Sequence, residues 1–254
     1  MQGVKDKTVI LTGGAGDIAK VAARRFVDAG AKVMLVDLDE SSLRDIASEC
    51  REDDLRYTVA DVTSETDTAA YVAATVGAFG GVDVLLANAG VEGPSAPVSE
   101  FDLQSFQKVL DVNVMGVFLG IKHVFPVMAA GGGGSVVITS SVAGVSATPG
   151  ICAYGTSKHA VIGLMRACAK EGGPQNIRVN TINPSPVEGR MMRSLESGLM
   201  PEDPTAQYEA IKSAIPMERY ADPEDVANLM LFLASEESRF LNGATYMVDG
   251  GMTA

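Results

Sequence analysis

Short apolar segments alternate with longer amphipathic segments along the whole chain, and this alternation limits the folds open to it. Seven short segments are rich in Val, Ile and Leu and mostly apolar on both faces, which is typical of buried parallel strands. They cover residues 8–11, 32–36, 56–60, 84–87, 136–139, 178–182 and 245–248. Strand–helix alternation predicts one doubly wound α/β domain over residues 1–254, with a seven-stranded parallel sheet flanked by helices.

Helical patterns fill most of the intervals between these strands. Apolar residues recur at helical spacing from Ile18 to Ala29, residues 103–128 form a long amphipathic run, and residues 154–169 are rich in small side chains. Asp222 and Pro223 are typical of a helix N-cap and first helical position, so they predict a helix that continues to Ala234.

Residues 185–214 follow neither pattern. This segment contains Met191, Met192, Leu195 and Leu199 together with two prolines. A connection of this length without a clear element of its own is often functional, so we expect an irregular, mobile lid over a substrate site.

The charge balance argues against several classes of partner. The 254 residues carry a formal net charge of −12, which disfavours binding to nucleic acid or to anionic membrane surfaces. The three cysteines, Cys50, Cys152 and Cys168, show no metal-ligand spacing and leave one thiol unpaired, so we expect no metal and a reducing compartment. With no basic and apolar leader and no apolar run near ~20 residues, the expected location is the cytoplasm.

A glycine-rich turn follows the first predicted strand. In Thr12-Gly-Gly-Ala-Gly-Asp-Ile-Ala19, backbone N–H groups and the start of the next helix would face an anion, as a dinucleotide pyrophosphate requires. The candidate contacts are Gly13, Gly16, Asp17 and Ile18.

An acidic residue ends the second predicted strand. Asp37 lies 24 residues after Gly13 and is followed by Leu38, where a carboxylate can accept hydrogen bonds from the adenosine ribose hydroxyls. The same carboxylate would repel a 2′-phosphate, and no Lys or Arg stands at residues 14–16, 38 or 39. NAD is therefore favoured over NADP.

Polar residues also follow the third and fourth predicted strands. Asp61-Val62 could contact the adenine, and Asn88-Ala89-Gly90 would let the dinucleotide lie close to the backbone. Taken alone, each group is more often a turn former.

Tyr154 and Lys158 stand four residues apart on a predicted helix and so share one face. There the ammonium could lower the phenol pKa and allow the tyrosine to exchange a proton with an alcohol oxygen. Ser141, at the end of the fifth strand, could hold that oxygen.

Together these motifs resemble those of the short-chain dehydrogenase/reductase family in its compact form. The match spans the chain and includes Asn113, Asn183-Pro184 and the closing Val248-Asp-Gly-Gly251. The resemblance implies a Rossmann-type domain, a homotetramer, and a catalytic set of Asn113, Ser141, Tyr154 and Lys158. It also implies that Asn113 holds a helix kink and a water relay, that Lys158 binds the nicotinamide ribose, and that Pro184 and Val187 cover the nicotinamide.

The chain departs from the family pattern at the glycine turn and after the sixth strand. Asp17 and Ala19 stand where the family usually has Gly, Ser185 where it often has Gly, and Gly189 where it often has Thr. Ala19 keeps a small side chain. We expect Asp17 to turn outward and cap its own helix, while the loss of Thr at Gly189 removes a possible contact to the carboxamide.

The residues expected around the substrate are mostly apolar. The predicted substrate residues are Ser141, Val142, Ile151, Tyr154, Met191, Met192 and Leu195, and Glu92 is interpreted as a solvated loop carboxylate. Together with the cofactor and catalytic motifs, this apolar set predicts reversible hydride transfer between NAD(H) and a hydrophobic secondary alcohol or ketone. Alternatives are a 3-oxoacyl-type or sugar/polyol reductase of the same family, a halohydrin-cleaving relative, or a non-catalytic NAD-binding protein.

Overall fold

The computed structural model describes residues 3–254, and seven strands in this part of the chain form one parallel sheet. The strand order is β3-β2-β1-β4-β5-β6-β7, so the chain reverses direction across the sheet between β1 and β4. The strands are β1 (Thr8–Thr12), β2 (Lys32–Asp37), β3 (Leu55–Val59), β4 (Val84–Ala87), β5 (Gly134–Thr139), β6 (Ile177–Pro184) and β7 (Thr245–Val248). All seven predicted strands are confirmed, with ends that differ by at most two residues.

Helices cover both faces of this sheet. They are α1 (Asp17–Asp28), α2 (Glu40–Ser48), α3 (Glu65–Phe79), α4 (Leu103–Leu110), α5 (Gly116–Ala130), α6 (Cys152–Gly172), α7 (Arg190–Leu199), α8 (Pro204–Ser213) and α9 (Pro223–Ala234). As predicted, α9 begins at Pro223 after the N-cap Asp222.

Alternate side chains of each strand point to opposite faces of the sheet, and each face packs in its own apolar core. Val9 and Leu11 of β1 pack with α1, α2 and α9, whereas Ile10 faces the opposite core with α3, α5 and α6. A strand that is buried on both faces reads as a continuous apolar run, which explains why the sequence pattern located the strands well.

The single helix predicted over residues 103–128 is interrupted. Between α4 and α5, residues Asp111–Met115 form a π-helical turn that contains the buried Asn113. By length and mean hydropathy, Leu103–Ala130 could cross a membrane, although we expected no such run. Its inward residues, including Val117 and Val124, are buried in the core against the sheet.

The segment at residues 185–214 is not irregular, which corrects our expectation. It contains α7 and α8, and α8 begins at Pro204 where the side chain of Asp203 accepts a hydrogen bond from the Ala206 N–H at 2.9 Å. The two helices pack together and carry a buried glutamate, Glu196, which is paired with Arg193 at 2.9 Å. The mobility of this lid remains a prediction.

Phe26 tests the core on the α1 side of the sheet. It is fully buried where α1 packs against α9, so Phe26→Ala should lower the free energy of unfolding by about 3–5 kcal/mol through lost burial and a residual cavity. Denaturant unfolding followed by circular dichroism measures this loss. Lys20→Ala, on the exposed face of the same helix, should change stability by about 0.5 kcal/mol at most. Equal effects of the two substitutions would contradict this packing.

Candidate active site

A large cavity lies along the carboxyl ends of the strands. Its volume is about 690 Å³, and it runs from the glycine turn after β1 to Tyr154 on α6. In open α/β sheets, ligands bind at this edge, next to the point where strand order reverses. The predicted cofactor site and the predicted catalytic residues therefore face the same cavity.

Hydrogen bonds between strand ends fix the floor of this cavity. The Thr12 hydroxyl donates to the Leu86 carbonyl and accepts the backbone N–H groups of Asn88 and Ala89 at 3.1 and 3.2 Å. The Asn88 side chain in turn accepts the Thr139 hydroxyl at 3.1 Å. These bonds tie the ends of β1, β4 and β5 together, so Asn88 supports the cavity as well as lining it.

The glycine turn leaves room and donors for an anion. Gly13 has φ +68°, and a Cβ there would lie 2.8 Å from the Ala89 backbone, so only glycine permits this close approach. Helix α1 starts from the N-cap Gly16, which supplies no side-chain cap, and the first-turn amides remain available to a ligand. Gly13, Gly16, Asp17 and Ile18 all line the cavity, and this cradle fits a dinucleotide pyrophosphate.

Asp37 holds the glycine turn in place. One carboxylate oxygen accepts the Ala15 N–H at 3.0 Å, and the other accepts the N–H groups of Leu38 and Asp39 at 2.7 and 3.1 Å. Asp37 and Asp39 both line the cavity at the end of β2.

Four of the proposed cofactor residues do not line the cavity. Leu38 is 66 % exposed, Ala89 supports Gly13 from behind, and Val62 packs against Gly116. The Asp61 carboxylate accepts the N–H and the hydroxyl of Thr63 and so closes a local turn. A polar residue after a strand is often a turn former, and that alternative describes Asp61 here.

Ser141, Tyr154 and Lys158 meet at the other end of the cavity. Tyr154 is 9 % exposed and Lys158 is 4 % exposed, and the lysine Nζ lies 5.4 Å from the centre of the tyrosine ring. Nζ donates to the Thr139 carbonyl at 2.8 Å. The Ser141 hydroxyl accepts the Ala143 N–H at 3.1 Å, which orients it at the end of β5.

Burial is the main cause of the pKa shifts of Tyr154 and Lys158 on α6. It raises the pKa of Tyr154 to about 12, the Ser141 hydroxyl acts to lower that pKa, and the charge of Glu92 acts to raise it. Burial lowers the pKa of Lys158 to about 8. Removal from water disfavours the charged form of each group, and the lowering of the Tyr154 pKa by Lys158 stays a prediction.

Asn113 does not line the cavity but fixes one of its walls. From the π-helical turn its side chain accepts the Val91 N–H at 2.8 Å and donates to the Val91 carbonyl at 2.9 Å. It also donates to the Ser157 hydroxyl at 3.0 Å. The side chain thus clamps the loop after β4 to the helix that carries Tyr154 and Lys158.

The residues predicted to contact the substrate all line this cavity. Val142, Ile151, Met191, Met192 and Leu195 line the cavity with Ser141 and Tyr154, and Pro184 and Val187 lie along it towards the glycine turn. Sequence reasoning missed the polar lining residues Thr148, Ser194 and Gln207. No motif marks them, because they converge only through the loop before α6 and the packing of α7 on α8.

Glu92 faces the cavity instead of standing apart in solvent. It lines the cavity directly after the clamped Val91, and its charge acts on Tyr154. Its position next to the Asn88–Gly90 turn was the only sequence signal for this placement.

Asp17 does not cap its own helix, so that expectation is wrong. Its carboxylate accepts the backbone N–H of Arg190 at 2.9 Å, at the first residue of α7. The Arg190 guanidinium donates to the Ala15 carbonyl at 3.1 Å. The glycine turn and the lid helix therefore contact each other directly.

Comparisons with known proteins agree with this geometry. A family model described as "Enoyl-(Acyl carrier protein) reductase" matches residues 13–253. Levodione reductase of Leifsonia aquatica is 35 % identical over 98 % of this chain and 95 % of its own, and a levodione reductase crystal structure superposes with a TM-score of 0.94 at 34 % identity, covering 98 % of each chain.

Two further relatives are named as dehydrogenases. The 3-alpha-(or 20-beta)-hydroxysteroid dehydrogenase of Mycobacterium tuberculosis is 37 % identical over 98 % of this chain and 90 % of its own. The structure of an NAD+-bound xylitol dehydrogenase has a TM-score of 0.94 at 33 % identity, covering 97 % of this chain and 99 % of that one. The chain belongs to the short-chain dehydrogenase/reductase family and is an oxidoreductase of the secondary alcohol/ketone type.

Proposed function

We propose that this protein is an NAD-dependent dehydrogenase that interconverts a hydrophobic secondary alcohol and its ketone. The observation that carries the proposal is the shared cavity, in which Ser141, Tyr154 and Lys158 stand at one end and the glycine turn with Asp37 at the other. The glycine turn and Asp37 would hold NAD, which would supply the hydride acceptor for alcohol oxidation.

In this proposal each residue at the alcohol end has a distinct task. Ser141 donates a hydrogen bond to the substrate oxygen, and Tyr154 takes the hydroxyl proton during oxidation and returns it during reduction. Lys158 binds the nicotinamide ribose, and its positive charge favours the tyrosinate. Asn113 holds the loop after β4 against α6 and supports a proton relay towards solvent.

The apolar wall supports a cyclic, aromatic or alkyl substrate, while one observation favours a second candidate. Glu92 and three uncharged polar residues also line the cavity, and a carboxylate can accept a hydrogen bond from a further hydroxyl group, as in a sugar or polyol. A panel of cyclic, steroid-like, 3-hydroxyacyl and polyol alcohols, followed at the NADH absorbance, separates these classes.

We also propose a cytoplasmic homotetramer. Leu103, Met115 and Phe118 expose apolar surface along α4 and α5 at 78, 45 and 41 %, and such surface is commonly covered by a second subunit. Sedimentation of the purified protein tests the assembly.

Tyr154→Phe tests the proton transfer. It removes only the hydroxyl, so kcat should fall at least about 100-fold while the Kd for NADH changes by about threefold or less. Alcohol oxidation and NADH fluorescence titration measure the two effects. Tyr57→Phe, in β3 and outside the cavity lining, is the matched control. Turnover of the Tyr154 variant at the wild-type rate would rule this mechanism out.

Asp37 tests the choice of dinucleotide. A carboxylate beside a 2′-phosphate costs at least about 1 kcal/mol, so NADH should bind at least about fivefold tighter than NADPH. Asp37→Asn keeps an acceptor for the turn but removes the charge, and the NADPH-to-NADH ratio of Kd values should fall several-fold. Fluorescence titration with NADH and with NADPH measures these Kd values for the wild type and the variant. Tighter binding of NADPH to the wild type would overturn the assignment.

Glu92 tests the electrostatics of the alcohol end. Its charge raises the pKa of Tyr154, so Glu92→Gln should lower that pKa and let the tyrosinate form at lower pH. The acid limb of kcat/KM for alcohol oxidation should move to lower pH, with a gain on the order of twofold on that limb. Glu100→Gln, exposed in the same loop, should leave the limb in place. A shift to higher pH would contradict the prediction.

A further inference from the structure

Helix α7 lacks a cap from its own sequence. Its N-cap position is Gly189, which has no side chain to accept the amides of the first turn. The acceptor comes from Asp17, 173 residues earlier in the chain, whose Oδ2 lies 2.9 Å from the Arg190 nitrogen. A residue of the cofactor turn thus does for the lid helix what an N-cap side chain normally does.

The glycine at position 189 is matched to this carboxylate. A Cβ built on Gly189 would lie 2.4 Å from Asp17 Oδ2, closer than any real Cβ contact, and φ is +155°. A side chain at residue 189 and the carboxylate in its present place exclude each other. Asp17 and Gly189 both depart from the family pattern, and the Asp17 carboxylate occupies the space that a side chain at residue 189 would need.

A second bond joins the same two segments in the opposite direction. The Arg190 guanidinium donates to the Ala15 carbonyl at 3.1 Å, inside the glycine turn. Met191, Met192 and Leu195 follow on α7 and line the cavity, and Met192 and Leu195 pack with Tyr154. The start of α7 sets the position of these side chains, because a helix fixes the directions of its side chains relative to one another.

We propose that Asp17 is a positioning residue for the substrate wall: it caps α7 across the chain, in the space that Gly189 leaves, and so holds Met191, Met192 and Leu195 against the alcohol site. Asp17 acts through α7 and contacts no substrate. The effect on substrate binding rests on the proposed function, whereas the cap itself does not.

The first experiment compares Asp17→Ala with Asp17→Asn. Alanine cannot accept the Arg190 amide, so KM for the alcohol should rise about fivefold with a smaller change in kcat, and asparagine, an equally good capping residue, should restore KM. The Kd for NADH should hold or tighten in Asp17→Ala, since a carboxylate leaves the pyrophosphate turn. Asp28→Ala, at the far end of α1, is the control for charge and should match wild type.

Amide hydrogen exchange of the protein alone reports on the cap without any activity. In Asp17→Ala the Arg190 amide should exchange about fivefold faster, while core amides such as those of β4 keep the wild-type rate. Unchanged exchange at Arg190, or faster exchange throughout the protein, would overturn the proposal. A wild-type enzyme that oxidises no alcohol would defeat the proposed function but leave this measurement valid.

A double-mutant cycle tests the match between the two positions. Gly189→Ala alone should raise KM and speed exchange at Arg190, because the new Cβ meets the carboxylate. In an Asp17→Gly background the same substitution should have a several-fold smaller effect, since residues in contact are not additive. An equal penalty in both backgrounds would show that only the backbone at Gly189 matters and would refute the coupling.

Discussion

The hydrogen bonds along the carboxyl edge of the sheet are the interaction on which the site depends. A parallel sheet ends all its strands at one edge, where backbone groups lose their strand partners and must find others. Here the Thr12 hydroxyl, the Asn88 amide and the Thr139 hydroxyl join three strand ends, and the Thr139 carbonyl then receives the Lys158 ammonium. The same bonds that complete the sheet fix the distance between the dinucleotide cradle and Tyr154.

The sheet and most of the cavity lining were predictable because their causes are local. Strands buried on both faces are continuous apolar runs, and a glycine turn precedes its helix in the sequence itself. The start of α8 has an equally clear signal, since Asp203-Pro204 matches Asp222-Pro223, so the expectation of an irregular lid is an error. That error was one of interpretation and not of missing information.

The other differences from the sequence-based expectations have causes that lie far away in the sequence. The period of the run 103–128 gives no sign of the π-helical turn at Asn113, whose side chain bonds to Val91, 22 residues away, and only the family resemblance indicated a kink there. Helix α7 shows no start signal because its cap comes from Asp17. The pKa directions of Tyr154 and Lys158 follow from burial, which depends on the packing of the whole fold and not on their spacing.

Burial at the alcohol end has a consequence for the chemistry. It pushes Tyr154 and Lys158 towards their neutral forms, and the nearby charge of Glu92 opposes the tyrosinate further. Positive charge beside the phenol is what would reverse this, and the lysine, whose pKa of about 8 leaves it mostly protonated near neutral pH, supplies it within 5.4 Å of the ring. Burial thus favours the protonated tyrosine, and a protonated Lys158 beside it acts in the opposite direction.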